Sequence, residues 1–447
     1  MKKNYLLGMA LIASLSFYSC DKEVVYVQDG TGVESVADGA QIITLQVENG
    51  GDGLATRAGR PLYSAEAKQT IENVKLWICD GAGNVIKYVK EISDWNTDDV
   101  STVYTTGGHG RQTTIELKDA DKLAAGTYKI YAVGYSNSSA YTLTDVTNVA
   151  KESTFNENMV LPCSTVGEEI FAGQMELTVE KGKGFKKPVV LNRQVAGAFA
   201  YVKDIPFMEG AKYLKLVASA QNQSLVLGNF NSFDLTGNGS GNANVKYVVN
   251  GTNGKSGSET YVISTIDLNK WFTAIKDDNG DNLIDAGENW KNPCRPSSSP
   301  AAGTYPTFQK GSAFGGEFVI PFAHVDGKQT LTLQLTNAGG KVLRSWKVNL
   351  GSTDEQLKQT ITCWNSGSTD WSTSLSGELA NTYSLVRNHL YGIGTRMNDE
   401  ANPEKPGVDP DPNPENPNDK PESLNNKQEL VLKVNDNWEV IHGMELD

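Results

Sequence analysis

The sequence predicts a mostly β protein of two antiparallel β-sandwich domains in tandem. Three observations support this. Short runs of alternating apolar and polar residues recur along the chain, clusters of Gly, Asn, Asp and Ser separate them, and helical periodicity is scarce. A length of 447 residues is ample for two such cores. The net charge of -13 and pI near 5.0 argue against a phosphate-binding surface, and no nucleic-acid partner is expected.

The first twenty residues read as an export signal. Lys2 and Lys3 precede an apolar run, 6–17, that is too short to span a bilayer comfortably. Ser19 before Cys20 resembles a bacterial lipobox, although Phe17 and Tyr18 are bulkier than that pattern prefers. Cys20 is therefore the expected lipidation site, placing the precursor at the outer membrane. Beyond it, Ile43, Leu45 and Val47 share one face of an alternating strand, with Thr44, Gln46 and Glu48 on the other. Glycines follow, then Leu54-Ala55-Thr56-Arg57-Ala58, an exposed setting in which a trypsin-like protease would cut after Arg57.

Residues 71–79 and 85–92 flank Asp80-Gly81-Ala82-Gly83-Asn84, a hairpin by turn chemistry. Further strands are expected at 126–133 and 174–179. A second series starts at 191–196 and continues through 198–202, 213–220, 261–264, 316–320 and 329–335, closing at 383–393.

Inside that second series, 277–288 fits a twelve-residue calcium loop. Asp277, Asn279 and Asp281 hold positions 1, 3 and 5, Leu283 offers its carbonyl at 7, Asp285 sits at 9 and Glu288 at 12. Asn282 replaces the usual Gly at position 6, and Asn tolerates positive φ. A solvated acidic turn is the plainer reading, and Ca2+ is the only cofactor expected. Apart from Cys20 the cysteines are Cys79, Cys163, Cys294 and Cys363, and two disulfides have three pairings. Cys294 with Cys363 is the pairing expected, because both lie in the second domain.

Residues 402–422 hold seven of the sixteen prolines among many acids, so 397–428 reads as an extended linker. After it, 430–447 alternates again. Leu430, Leu432, Val434, Trp438, Val440, Met444 and Leu446 share one face with Asp436 and His442. Such a strand needs a sheet edge, in its own domain or in a neighbouring molecule.

Catalytic motifs are poor, and no enzyme is expected. Gly254-Lys255-Ser256 lacks the first glycine of a phosphate loop, since Val249 stands there. His109, His324, His389 and His442 have no paired spacing. Trp95, Trp271, Trp290, Trp364 and Trp371 could line a glycan platform, though such residues are more often core.

Taken in order, these pieces resemble the Mfa type of type V pilus fimbrillins. The matching residues are the lipoprotein start, Thr56-Arg57-Ala58, Leu191-x-Arg193-x-x-Ala196, Val386-Arg387-Asn388-His389-x-Tyr391, the acidic linker and Trp438-Glu439-Val440-Ile441-x-x-Met444-Glu445-Leu446. The resemblance implies transthyretin-like sandwiches divided as signal peptide 1–20, propeptide with an exchangeable strand 21–57, N-terminal domain 58–190, C-terminal domain 191–396, linker 397–428 and donor strand 429–447. It implies a fimbrial subunit serving adhesion. An Arg-specific surface protease releases the N-terminal strand, and the next subunit's C-terminal strand replaces it in the extracellular fimbrium. A host protein or glycan is the partner outside the fimbrium. The alternative is a surface lipoprotein that binds glycans and never polymerises. A secreted hydrolase is a weaker third class.

Overall fold

The computed structural model describes residues 26–28, 34–36, 39–48, 70–104, 110–137, 139–164, 167–228, 247–284, 289–293, 308–323, 330–350, 361–374, 384–394, 420–425 and 427–435. Strands dominate them, and the expected hairpin is present as Asn73–Asp80 and Ile86–Ile92. Asp80 builds its turn, accepting from the amides of Gly83 and Val85, while Asn84 takes the left-handed φ of 55°.

The first large sheet runs Ile86–Ile92, Asn73–Asp80, Gly126–Tyr135, Phe171–Val179, Phe185–Arg193, Gln41–Glu48, Gly110–Leu117, Thr102–Tyr104. It is pinched in the middle. Phe171–Val179 meets Phe185–Arg193 only at Phe171↔Arg193 and Ala172↔Asn192. A Cβ on Gly173 would collide with Val190 O at this crossing, so glycine lets the two strands pass. The sheet thereby folds back on itself. Val74, Leu76, Ile78 and Ile130 from one half pack with Ile43, Leu45, Ile115 and Val189 from the other in one buried core.

The second large sheet runs Lys255–Asp267, Ala211–Gln221, Leu331–Asn337, Val342–Leu350, Glu429–Asn435, Leu390–Ile393, Ala196–Lys203, Ala313–Val319. Its fold-back strand is Glu429–Asn435. Residues 429–432 pair parallel with Lys347 to Leu350, and Lys433, Val434 and Asn435 pair antiparallel with Gly392, Tyr391 and Leu390. Leu214, Leu333, Trp346, Tyr391 and Leu432 fill the space between the layers.

The sandwiches also share structure. Val160–Pro162 of the first pairs with Ser224–Val226 of the second. Trp77, Tyr131 and Phe155 belong to the same continuous buried cluster as the second core. Phe185–Arg193 stays in the first sheet up to Arg193, so the crossover falls at Gln194 and Val195, slightly later than the expected boundary after 190.

The closing strand expected over 383–393 is broken instead. Ser384–Leu385 and Leu390–Ile393 flank a turn in which Asn388 has φ 58°. That turn carries Arg387 inward.

Candidate functional site

The N-terminal strand Gln41–Glu48 is the clearest candidate, because it occupies a central slot while lying near a chain end. On one side it pairs parallel with Phe185–Arg193, from Gln41↔Phe185 to Val47↔Leu191. On the other it pairs antiparallel with Gly110–Leu117, from Gln41↔Leu117 to Glu48↔Gly110. The alternation read from sequence is realised: Ile43, Leu45 and Val47 are each 0% exposed, while Thr44 and Gln46 are half-buried. Burying those three side chains is worth roughly 5–9 kcal/mol in all. Gln41 fixes the strand's start, its amide donating to Leu123 O at 2.9 Å and accepting from Leu123 N at 2.7 Å. Gln46 Nε2 donates to Gln112 Oε1 at 3.0 Å. If the strand left, two facing edges would expose unpaired amides and carbonyls over an apolar trough. Arg57, Ala58 and Cys20 lie outside the described residues.

Of the two settings expected for the C-terminal strand, its described part, Glu429–Asn435, takes the one in its own domain. Leu430 and Leu432, at 1% and 0% exposure, are core residues of the second sandwich, and Val434 is ladder-paired there. They are not on a free strand, because the fold-back of their own sheet needs them. Trp438, Val440, Met444 and Leu446 lie outside the described residues. The described residues that flank the acidic Pro-rich segment touch: a Cβ on Gly394 would lie 3.1 Å from Lys420 O and 3.0 Å from Glu422 N. Glu422–Ser423 then pairs parallel with Val202 and Lys203, and Leu424 is 0% exposed. Within the expected linker 397–428, the residues from Lys420 on therefore belong to the second domain.

Two motifs that carry the sequence resemblance meet at the domain crossover. Arg193 Nε donates to Glu169 Oε1 at 2.8 Å, with both side chains essentially fully buried. Glu169 Oε2 accepts from Thr70 N and Oγ1 at 2.6 and 2.8 Å. Burial pulls the Arg193 guanidinium down from its ordinary value, and the Glu169 charge opposes this. One residue on, Gln194 Oε1 accepts from Arg387 Nη1 at 2.9 Å, and the same nitrogen donates to Gly228 O at 3.0 Å. Burial pulls Arg387 down to about 9, still charged at neutral pH. His389 is buried with Nδ1 2.8 Å from Arg387 O, so it is part of this junction.

In the calcium-loop candidate, Asp277 accepts from Gly280 N at 2.8 Å and from Asn282 N at 2.9 Å. Asn279 accepts from Asp281 N at 3.0 Å, and Asp281 from Leu283 N at 2.8 Å. Asn282 adopts φ 62°, the conformation position 6 requires. Ile284 is buried and donates its amide to Ile205 O at 2.7 Å. Asp285 and Glu288 lie outside the described residues, and no group of three metal-ligating side chains occurs among the described ones.

Cys79 and Cys363 are free thiols, and Cys294 lies outside the described residues. Trp95 and Trp271 are core, at 0% and 1% exposure, and Trp290 packs on the second core with Nε1 donating to Ser312 O at 2.7 Å. Trp364 and Trp371 form an edge-on pair at 5.3 Å, with Trp371 Nε1 donating to Asn158 Oδ1 at 2.8 Å. Lys255 and Ser256 begin a strand and not a helix, so they form no phosphate loop.

The geometry defines a mostly β protein of two large sheets, the first with a strand-filled slot. No family model matches the chain, and no curated protein matches it. Among solved structures it is similar to the fimbrial anchor protein Mfa2 from Porphyromonas gingivalis, with 10% identity and a TM-score of 0.33, covering 78% of this chain and 99% of that one. It is similar to the tip fimbrial protein Mfa3 from the same organism, truncated at its C-terminus, with 10% identity and a TM-score of 0.35, covering 79% and 94%. A fimbrial assembly protein from Parabacteroides distasonis gives 12% identity and a TM-score of 0.33, covering 76% and 100%. Fimbrial proteins of the Mfa type are thus among the solved structures this chain is similar to.

Proposed function

We propose that the chain is a structural subunit of a cell-surface fimbrium, serving adhesion and assembled by strand exchange. The observation behind this reading is the Gln41–Glu48 strand, buried on one face and paired on both edges. It is joined to the body through a stretch that contains Arg57. Cleavage there leaves the strand held by non-covalent contacts alone. A strand of equal pattern and greater length from a neighbouring subunit then replaces it. The donor in this proposal is 436–447, whose Trp438, Val440, Met444 and Leu446 supply the apolar face. Those twelve residues are enough for an eight-residue slot, and their use leaves Leu430 and Leu432 in their own core. Before cleavage the precursor is held at the outer membrane by lipid on Cys20, and the proposed partners are an Arg-specific protease and further subunits.

The test is a polymerisation assay on residues 21–447 with an Arg-specific protease. A new N-terminus at Ala58 and a detergent-resistant ladder, abolished by deleting 436–447, support the proposal. Clean cleavage with monomers only counts against self-assembly. No cleavage at Arg57 favours the glycan-binding lipoprotein.

We further propose that 277–288 binds Ca2+, with Asp277, Asn279, Asp281 and the Leu283 carbonyl as the first ligands. Asp285 and Glu288 complete the set. The left-handed Asn282 and the anchored Ile284 fit such a loop. The ion would neutralise clustered carboxylates and stiffen the loop against Ile205. A calcium-dependent rise in melting temperature, lost in Asp277→Ala plus Glu288→Ala, is expected. No calcium shift in the parent protein rejects this site.

A further inference from the structure

Ile86–Ile92 is a terminal strand of the first large sheet, and its outer edge is only partly used. Gly81 N–H donates to Thr127 O, toward Gly126–Tyr135. By alternation Val74, Leu76 and Ile78 turn their amides the other way, toward their partners Ile92, Lys90 and Tyr88. Those three residues therefore face inward, and Val89 and Glu91 present their N–H and C=O groups outward. The one-residue bulge at Lys87 shifts this parity relative to Ile86. Ile86 is covered, donating to Ser153 O at 2.9 Å and accepting from Glu152 N at 2.8 Å. Among the described residues nothing pairs with the outer edge beyond it. The loop at Glu152 and Ser153 starts a strand pairing that then stops.

A cavity of about 400 Å³ opens where it stops, between this edge and the loop at Val149 and Lys151. Tyr88 and Val149 supply apolar lining, Lys87, Lys90 and Lys151 supply positive charge, and Asp121 is the acidic residue of the lining. Lys87 is engaged by Asp80 and Glu152 at 3.5 and 3.3 Å. Lys90 and Lys151 are exposed and have no ion-pair partner among the described residues. On a chain of net charge -13, this is a basic patch beside an open sheet edge.

The same chain carries a segment with complementary chemistry. Asp409-Pro410-Asp411-Pro412-Asn413-Pro414-Glu415 places proline at every second position. In extended form, Asp409, Asp411, Asn413 and Glu415 would turn all their N–H groups to one edge. The prolines would fall on the other edge and blunt it against further pairing. Asp409, Asp411 and Asn413 each precede proline, which favours extended backbone and lowers the cost of ordering it. Gly394 and Lys420 lie side by side, and the 25 residues 395–419 that join them have a contour long enough to reach about 40 Å from that point.

We propose that the open edge of Ile86–Ile92 takes the 409–415 segment of a second copy as an added strand. Main-chain bonds form at Val89 and Glu91, and Lys90 and Lys151 receive the acidic side chains. This contact requires neither cleavage at Arg57 nor exchange of Gln41–Glu48, so it stands apart from the assembly proposed above.

The test uses the uncleaved chain and a labelled peptide of residues 408–416, read by fluorescence anisotropy. Binding is expected to weaken by about tenfold or more in Lys90→Glu plus Lys151→Glu. It is expected to weaken comparably when the peptide amides of Asp409, Asp411 and Asn413 are N-methylated, which leaves charge intact. Methylated peptide binding as tightly as the parent overturns strand addition and leaves a charge-only contact. Sedimentation of the uncleaved chain is expected to show concentration-dependent association, reduced in Asp409→Asn, Asp411→Asn and Glu415→Gln together. A chain that stays monomeric at every concentration overturns the assignment to a second copy.

Discussion

Arg387 Nη1 donates to Gln194 Oε1 at 2.9 Å, joining the last turn of the second sandwich to the crossover between the two domains. Both residues are 0% exposed. Asn250 adds to the junction, with Nδ2 donating to Gln194 O at 3.1 Å and Val226 O at 3.2 Å. Gln194→Ala removes one acceptor of a buried guanidinium and leaves it Gly228 O, and a stability loss of about 1–3 kcal/mol is expected by urea unfolding. The two sandwiches are then expected to melt less cooperatively, with a broader calorimetric transition.

Glu169 has two duties, as the counter-charge of Arg193 and as the acceptor for Thr70. Removing one partner of a buried pair leaves the other uncompensated. Glu169→Ala is expected to cost about 3–5 kcal/mol, more than any exposed ion pair such as Lys183 with Glu180. Comparing denaturant midpoints of Glu169→Ala and Glu180→Ala checks this difference.

Alkaline pH is expected to destabilise the fold. Burial, with Asp80 and Glu157 nearby, pushes the Cys79 thiol up from 9.0 to about 12. Between those values the unfolded chain releases a proton that the folded chain keeps, so stability falls as pH rises. The slope from this group approaches about 1.4 kcal/mol per pH unit. Tyr131 and Tyr135, raised by burial, act in the same direction. Cys79→Ala should flatten the stability profile above pH 9.0, measured by urea midpoints across that range. The parent thiol should resist alkylation at neutral pH until the protein is unfolded.

Leu45 sits at the centre of the slot strand with no exposed surface. Leu45→Ala is expected to cost about 2–5 kcal/mol. In the cleaved protein the same change should speed loss of the N-terminal fragment, timed by gel filtration after protease treatment. An unchanged release rate would show that Leu45 does not retain the strand.

Much of this architecture was legible from alternation. Ile43, Leu45 and Val47 read as one face and are one face, and the 80–84 turn announced its hairpin through Asp and Gly. Phe185–Arg193 was hidden because Pro188 interrupts it. The proline is tolerated because, among the described residues, the strand's second edge has no ladder partner there, between Lys186↔Glu34 and Asn192↔Ala172. The fate of Leu430 and Leu432 could not be read, since a one-faced strand looks the same whether it closes its own sheet or another molecule's. The Gln194–Arg387 junction joins residues 193 positions apart, and only the fold brings them together. Two local signals were available, an Arg inside an otherwise apolar strand pattern and an Asn beside it suited to positive φ.

The most direct measurement is amide hydrogen exchange at 110–117 and 185–191 after cleavage at Arg57. If Gln41–Glu48 is an exchangeable occupant, these two edges should lose protection when the fragment leaves. They should regain it when subunits assemble. Protection unchanged through cleavage and assembly, with the fragment still bound, would contradict strand exchange and make Gln41–Glu48 a permanent part of the sandwich.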